Sequence, residues 1–253
     1  VTEPITVVLS EAGWIRSGKG HEIDPSSLSY RGEDKLQDYA RGKSNQTAVF
    51  IDSSGKVFSI PSHSLPSARG MGEPISGRVN AESGVNFISA LIGEPDDKFI
   101  FTNTAGYGYI SEFSNTISNK KTGKAFMKIP EGASLIKSQK LRADHQYIAA
   151  VSSIGKLLIF RLDELPILPK GKGNKIINIP TAKFKSKEEK MLDIQLLAED
   201  SNLVVHYGTK SRSLPFKDWQ HYVSSRAKRG NILAGHLKRV ESISEEVKVK
   251  DSA

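Results

Sequence analysis

Five times along this chain an apolar run reaches a glycine turn and re-emerges as a second apolar run, and no other feature constrains the fold as much. The turn glycines are Gly13 (VVLSEAGWIR), Gly55 (AVFIDSSGKVFSI), Gly106 (FIFTNTAGYGYI), Gly155 (IAAVSSIGKLLIF) and Gly208 (LVVHYGTKSRSL), at successive spacings of 42, 51, 49 and 53 residues. Registration persists past the turn. Leu65-Pro66 and Leu165-Pro166 come ten residues after Gly55 and Gly155, and the apolar Ile117 and Trp219 lie eleven after Gly106 and Gly208. Clusters of Lys, Arg and Gly follow: ARGMGEP (68–74), KKTGK (120–124), KGKGNK (170–175) and AKRGN (227–231). The first repeat is looser, and its cluster ARGKSN (40–45) comes only after an insertion rich in Ser, Asp and Glu.

Each paired run is four to six residues long and rich in Val, Ile, Phe, Leu and Tyr, the pattern of a β-hairpin. A further strand precedes most hairpins, as in VNFISALI (85–92), ASLIKSQKL (133–141) and MLDIQLLA (191–198). Another follows the cluster, as in AFMKI (125–129) and KIINI (175–179), which makes four strands per repeat. Two segments have helical character: 184–199, which reads equally as a charged loop leading into a strand, and 216–225, a short helix or turn. Four-stranded sheets recurring radially are propeller blades, and because a hairpin cannot bury its apolar face alone the blades must stack. The expectation is an all-β, five-bladed domain over 1–240 and a disordered tail, VESISEEVKVKDSA, over 241–253. Phe50, Phe58, Phe99, Phe101, Tyr107, Tyr109, Tyr147 and Phe160 alternate within strands and are expected in the blade core rather than as base-stacking platforms.

Lys and Arg outnumber Asp and Glu 36 to 28, a formal charge of +8 and a pI near 9.4, which favours a polyanionic partner. The absence of cysteine excludes disulfides and thiol nucleophiles and fits a reducing compartment. No apolar run approaches the ~20 residues of a membrane helix. The first residues, VTEPITVV, lack the features of a signal peptide, so a cytosolic segment of something longer is expected. Enzymatic readings find little support. The six histidines show no metal-ligand spacing, and no nucleophile elbow is present. The Gly-x-Gly at 106–108 and 171–173 lacks the rest of a nucleotide fingerprint. The acidic pairs Asp96-Asp97, Glu188-Glu189 and Glu245-Glu246 read as solvated loop neighbours.

The basic clusters suit phosphate. Glycine lets a backbone approach closely and leaves amides free to donate, while Lys and Arg displace condensed counterions without reading sequence. Contacts are expected from Arg41, Lys43, Arg69, Lys120, Lys121, Lys124, Lys170, Lys172, Lys175, Lys228 and Arg229, with Lys19, Arg78, Lys238 and Arg239 behind them. A second class of function is a propeller-type interaction module recruiting an acidic or chromosome-organising protein. Clusters in every repeat favour a nucleic-acid track, since a recruiting surface would concentrate on one face or blade.

From ITVVLSEAGWIRSGKGHEID through GKSNQ, LPSARGMGEP, AGYGY and KGKGNKIINIP to KRGNILAGHLKRV, the sequence resembles the C-terminal domain family of ParC, the larger component of bacterial DNA topoisomerase IV, itself related to the gyrase A C-terminal domain. The resemblance implies a five-bladed β-pinwheel, a propeller-like disc whose blades exchange strands, either closed or open at the first blade. It implies a non-catalytic domain that binds and bends double-stranded DNA on a positive rim. Such a domain captures the transported duplex, senses crossing geometry, and supports decatenation, supercoil relaxation and chromosome segregation by the ATP-dependent type IIA enzyme. The family's catalytic tyrosine lies in another domain, so this fragment should not cut DNA and needs no cofactor of its own; ATP and Mg2+ belong to other parts of the full enzyme. Implied partners are the ATPase subunit (ParE) and a MukB-like condensin, with a monomeric fragment, a homodimeric full-length ParC, no membrane, and a cytoplasmic, nucleoid-associated location. The gyrase box QRRGGKG is missing, and its nearest equivalents, KGKGNKI and ARGMGEP, are degenerate. That departure implies the topoisomerase IV role rather than gyrase-like wrapping.

Overall fold

The computed structural model describes residues 1–248. Four of the five hairpins are built alike. They are β1 (Pro4–Ser10) with β2 (Trp14–Lys19), followed by β3 (Leu36–Lys43); β4 (Thr47–Asp52) with β5 (Lys56–Pro61), followed by β6 (Glu73–Pro74) and β7 (Phe87–Ile92); β8 (Lys98–Asn103) with β9 (Tyr107–Glu112), followed by β10 (Lys124–Ala125) and β11 (Leu135–Lys140); and β12 (Tyr147–Ser152) with β13 (Lys156–Arg161), followed by β14 (Asn174–Lys175) and β15 (Met191–Leu197). The fifth is β16 (Asn202–Tyr207) with β17 (Lys210–Leu214), followed by β18 (Asn231–Ile232) and β19 (Ser242–Glu246). Short helices cover Thr181–Lys185 and Phe216–Trp219, so both segments with helical character resolve into a single turn or so of helix, and 191–197 is strand. Among the described residues no helix is long and apolar enough to cross a membrane.

In the first four turns the glycine closes a four-residue turn by donating its N–H to the carbonyl of Ser10, Asp52, Asn103 or Ser152 at 3.0 Å. Its φ lies between 83° and 91°, a region costly for any residue with a Cβ. The side chain that opens the turn reinforces it, most fully at Asp52, whose Oδ1 accepts from Ser54 N (2.9 Å), Ser54 Oγ (2.6 Å) and Lys56 N (3.1 Å). Gly208 differs: Tyr207 pairs directly with Lys210, leaving a two-residue loop.

Sheet membership is offset from the repeat expected in sequence. The long strand after each hairpin pairs with that same hairpin, giving the orders β3-β1-β2-β6, β10-β5-β4-β7, β11-β8-β9-β14, β15-β12-β13-β18 and β17-β16-β19. Segment 85–92 therefore belongs with the hairpin before it, not the one after. The strand after each basic cluster is two residues long and crosses to the preceding sheet: 125–129 and 175–179 contribute only their first residues, within β10 and β14. Among the described residues the fifth sheet has three strands, because no further repeat follows to donate the fourth.

The exchanged strand is held by a motif the turn glycines do not reveal: glycine, two strand residues, then a buried apolar residue. It occurs as Gly72-Glu73-Pro74-Ile75, Gly123-Lys124-Ala125-Phe126, Gly173-Asn174-Lys175-Ile176 and Gly230-Asn231-Ile232-Leu233. All four glycines have φ between 76° and 86°, and all four apolar residues are buried. Each apolar residue donates its N–H to a hairpin-turn carbonyl: Ile75 to Gly13 (2.8 Å), Phe126 to Gly55 (3.2 Å), Ile176 to Gly106 (2.6 Å) and Leu233 to Gly155 (2.8 Å). A Cβ on Gly173 would meet the Gly108 carbonyl oxygen at 2.1 Å, and one on Gly230 that of Leu157 at 2.7 Å. These cluster glycines bring the chain close to protein backbone, whereas the sequence suggests close approach to phosphate.

The chain divides into two compact units. One comprises Val1–Phe99, Ser111–Ile129 and Pro169–Gly171 and contains the first two sheets; the other comprises Ile100–Ile110, Pro130–Leu168 and the chain from Lys172, with the remaining three. In the first, Val7, Leu9 and Ile15 pack with Phe50, Phe58, Ile75 and Phe87, the last meeting Phe58 edge-on at 5.3 Å. In the second, Ile148, Leu158 and Phe160 face one cluster with Ile100, Ile176 and Ile194. Val151, Leu157 and Ile159 face another with Leu203, Val205 and Trp219. Covering both faces of this sheet explains why its strands read as continuous apolar runs, each large side chain contributing about 1.5–3 kcal/mol. Of the eight aromatics expected inside, Tyr107 and Tyr147 are only half-buried.

The C-terminal segment departs from the expected disorder: Ser242–Glu246 is β19, paired along β16 from His206↔Ser242 to Asn202↔Glu246. Residues 249–253 of that expectation lie outside the described residues. Two carboxylates attach the strand. Asp193 accepts from Ile243 N at 2.9 Å, and Glu245, exposed at only 6 % of its side chain, receives Arg142 Nη1 (2.6 Å), His145 Nε2 (3.1 Å) and Ala198 N (3.1 Å). Glu245 is thus no solvated loop residue, because a charged pair and an amide replace the water it gives up.

Burial raises the Glu245 carboxyl, but the bonds from His145 and Arg142 outweigh it and hold the group well below the usual carboxylate range. Burial pushes Asp193 up to about 6 against its two backbone donors. The signs oppose: the Glu245 contribution is present above its unfolded value of 4.5 and is lost as pH falls, whereas that of Asp193 is present below 3.8 and is lost as pH rises through about 6. Thermal melts of Glu245→Gln should therefore fall below the unsubstituted protein at pH 7 by about 4–8 °C, with the gap narrowing toward pH 3. A gap independent of pH would refute the electrostatic attachment.

Candidate nucleic-acid interface

The cations of the basic clusters divide into two sets. Arg69, Lys120, Lys121, Lys170, Lys172 and Lys228 are exposed, as are Lys19, Lys238 and Arg239. The first-repeat pair is exposed too but sits elsewhere: Arg41 and Lys43 lie on β3 rather than in a loop before an exchanged strand. Arg41 stacks on Tyr39 at 5.1 Å, and Lys43 is 3.9 Å from Glu94.

The second set is committed to internal partners. Lys124 donates to the carbonyls of Asn115 (2.7 Å) and Ile117 (3.1 Å), and burial, then the charge of Lys170, lowers its pKa. Arg78 pairs with Glu73 at 2.9 Å and bonds the Ser64 carbonyl. Arg229 forks onto Glu189 at 2.6 and 2.9 Å and reaches the Asn178 carbonyl at 2.6 Å. Glu189, 1 % exposed, is therefore the buried end of an ion pair, not a solvated neighbour of Glu188. Lys175 is intermediate, with Nζ 3.3 Å from Asn178 Oδ1. The planar guanidinium suits such fixed, multiply bonded roles, while lysine carries a mobile point charge outward.

Two residues absent from the sequence reading shape the clusters. Arg16, 2 % exposed, donates to the carbonyls of Gly70 (2.7 Å) and Ser29 (2.8 Å) and stacks on Tyr30 at 4.7 Å. It fixes the loop that presents Arg69. Arg226 bonds the Lys175 carbonyl at 2.7 Å and takes Glu164 on its N–H at 3.1 Å. Their sequence signal is weak, since a lone arginine in a strand or turn has no periodicity. In the first unit, Lys19, His63, Ser67 and Arg69 line a cleft of about 750 Å3, and Lys120 and Lys121 line one of about 260 Å3 backed by Arg78. In the second unit Lys172 lies over the Tyr107 ring, 4.2 Å from its centre, so that its charge is held in place two residues along the chain from exposed Lys170. Chemically these surfaces offer unpaired cations on a rigid backbone.

Five small antiparallel sheets, linked by strands exchanged from one repeat to the preceding sheet, are the blades of a five-bladed β-propeller. The family model described as DNA gyrase C-terminal domain, beta-propeller, matches residues 146–195. The chain is similar to the C-terminal domain of Escherichia coli ParC, with a TM-score of 0.84 and 35 % identity over 97 % of this chain and 100 % of that one. It is 43 % identical over 251 residues to the A subunit of DNA topoisomerase 4 from Pseudomonas aeruginosa, covering 99 % of this chain and 33 % of the relative. To the same subunit from Escherichia coli K12 it is 36 % identical over 242 residues, covering 96 % and 32 %. A gyrase A C-terminal domain shares the fold at a TM-score of 0.65 and 14 % identity, over 90 % of this chain and 76 % of that one. The chain belongs to the C-terminal domain family of ParC, the A subunit of topoisomerase IV, and it spans about a third of the length of the curated relatives it matches.

Proposed function

We propose that this chain is the non-catalytic, DNA-binding and DNA-bending part of a topoisomerase IV ParC protein. It holds a duplex through its phosphates, so that the full ATP-dependent enzyme can pass one duplex through another. One observation carries the reading: each cluster that precedes an exchanged strand keeps at least one exposed, unpaired cation, namely Arg69, Lys120, Lys121, Lys170, Lys172 and Lys228, although neighbouring cations are spent on the fold. A repeated cation at a repeated place suits a repeating ligand, and the phosphate backbone is one. The same reading gives the whole protein two partners, a chromosome-organising condensin and the ATPase subunit, in a cytoplasmic, nucleoid-associated setting.

Equilibrium binding to a random-sequence duplex of about 40 base pairs, repeated over a salt series, tests it. With five or six phosphates neutralised, log affinity should fall against log salt with a slope of about −5, a loss of about 10^3 between 50 and 200 mM. Replacing Lys170 and Lys172 with Glu should weaken binding across all sequences and make the slope shallower by about 2. Absence of binding at low salt would move the function to recruitment of an acidic protein.

A further inference from the structure

Ile167 is an exposed isoleucine (58 %) in a rigid frame, close in sequence to exposed cations. Its sequence context is Leu165-Pro166-Ile167-Leu168-Pro169-Lys170. Leu165 is buried at 3 %, the Pro166 carbonyl accepts from Ile110 N at 3.0 Å, and Leu168 N donates to the Ile110 carbonyl at 2.8 Å. Ile167 thus runs parallel to β9 as a single bridge to Ile110, pinned on both sides, with prolines before it and two residues after. Its side chain is left outward, three residues before Lys170. Little conformational freedom remains to be lost when that side chain is buried by a ligand.

The fold does not require isoleucine here. The second repeat places Ser67 at the equivalent bridge, opposite Ser17, with the same pair of hydrogen bonds through Pro66 and Ala68. The fifth repeat places Val223 there, opposite Ile159 and 37 % exposed. The apolar residue is therefore a choice made at the surface, a few residues ahead of Lys170 and Lys172. Single exposed apolar residues are common; this one combines rigidity, projection and following positive charge, the features of side chains that enter the minor groove and part base steps.

Resting on the DNA reading above, we propose that Ile167 is a wedge: held against the duplex by the phosphate contacts of Lys170 and Lys172, it enters the minor groove and partly unstacks one base step, with Val223 a weaker wedge of the same kind. The bend is then concentrated at discrete steps. Sequence preference follows deformability, with TA and CA steps favoured over A-tracts, although no base edge is hydrogen-bonded.

The test uses the 253-residue chain and duplexes carrying 2-aminopurine beside a central TA step, with donor and acceptor dyes at the ends. Binding of the unsubstituted protein should raise 2-aminopurine fluorescence several-fold and shorten the end-to-end distance. Ile167→Ser, which copies the second repeat and so preserves the bridge, should lose the fluorescence rise and much of the shortening while affinity falls by less than about tenfold. Ile167→Leu should keep both signals. An unchanged fluorescence rise in Ile167→Ser would overturn the wedge and leave the DNA reading standing. No binding by the unsubstituted protein at low salt would overturn both.

Discussion

Gly55→Ala should unfold most of the first unit's second sheet, at a cost of about 3–5 kcal/mol, whereas Gly208→Ala should cost about 1 kcal/mol. Both glycines have positive φ, 87° and 57°, so both substitutions carry the left-handed penalty. They differ in what the new methyl group meets. On Gly55 it would lie 1.9 Å from the Met127 carbonyl oxygen and 3.1 Å from Ile129 Cγ1. Those atoms belong to the segment that follows β10, the strand that crosses in to complete this sheet. Relieving the overlap means moving that segment and breaking the bonds from Phe126 N and Met127 N to the Gly55 carbonyl. On Gly208 nothing lies within 4 Å, because no later repeat crosses over it. Gly155, whose Cβ would be 2.5 Å from the Lys238 carbonyl oxygen, should behave like Gly55, and Gly13, with only Ile75 Cγ2 at 3.7 Å, like Gly208. Denaturant midpoints at fixed m-value measure the series. Equal losses at Gly55 and Gly208 would mean that strand exchange adds nothing to the turn's own requirement.

That contrast also marks what a sequence can disclose about this architecture. A hairpin announces itself locally, since the two apolar runs and the glycine between them answer to one short stretch of chain. Pairing across repeats does not. The apolar residues of 85–92 are the same whether the strand joins the hairpin before it or after it, and only the structure places β7 against β4. The two-residue strands are too short for any alternation to show. They are nonetheless legible in another form, as four glycines each followed three residues later by Ile75, Phe126, Ile176 or Leu233. β19 escapes a hydrophobic reading because Ile243 is its one buried apolar residue; the strand is attached through Asp193 and Glu245, and ionic attachment has no hydrophobic period.

At the interface the clusters are visible in sequence but their internal division is not. Composition treats Lys228 and Arg229 as one positive patch, and only packing separates a cation facing solvent from one facing a buried carboxylate. The glycines of the clusters likewise suggest phosphate, while Gly123 in fact stands where a Cβ would be 2.7 Å from the Phe58 ring. A basic, glycine-rich loop in a repeat protein therefore serves two requirements at once. The glycine and one guanidinium or ammonium secure the exchanged strand, and the remaining cations are free for a ligand.

Lys228 and Arg229 make that division measurable. Arg229→Ala should destabilise the second unit by about 3 kcal/mol, since it strands the Glu189 carboxylate away from water with its two charged hydrogen bonds gone. Glu189, on the segment leading into β15, would draw in solvent or a proton, and either response loosens the sheet that β18 completes. Converting both partners, Arg229→Met with Glu189→Met, removes the desolvation penalty along with the pair and should recover most of the loss. Lys228→Glu should leave the melting temperature within about 1 °C, because that side chain is exposed and unpaired, while lowering DNA affinity and making the salt slope shallower by about 1. Thermal melts and salt-dependent binding of the three proteins give a double dissociation: stability moves with Arg229 and binding with Lys228. If Arg229→Ala melted normally and lost DNA affinity instead, the guanidinium would be a phosphate contact after all and the division of the clusters would be wrong.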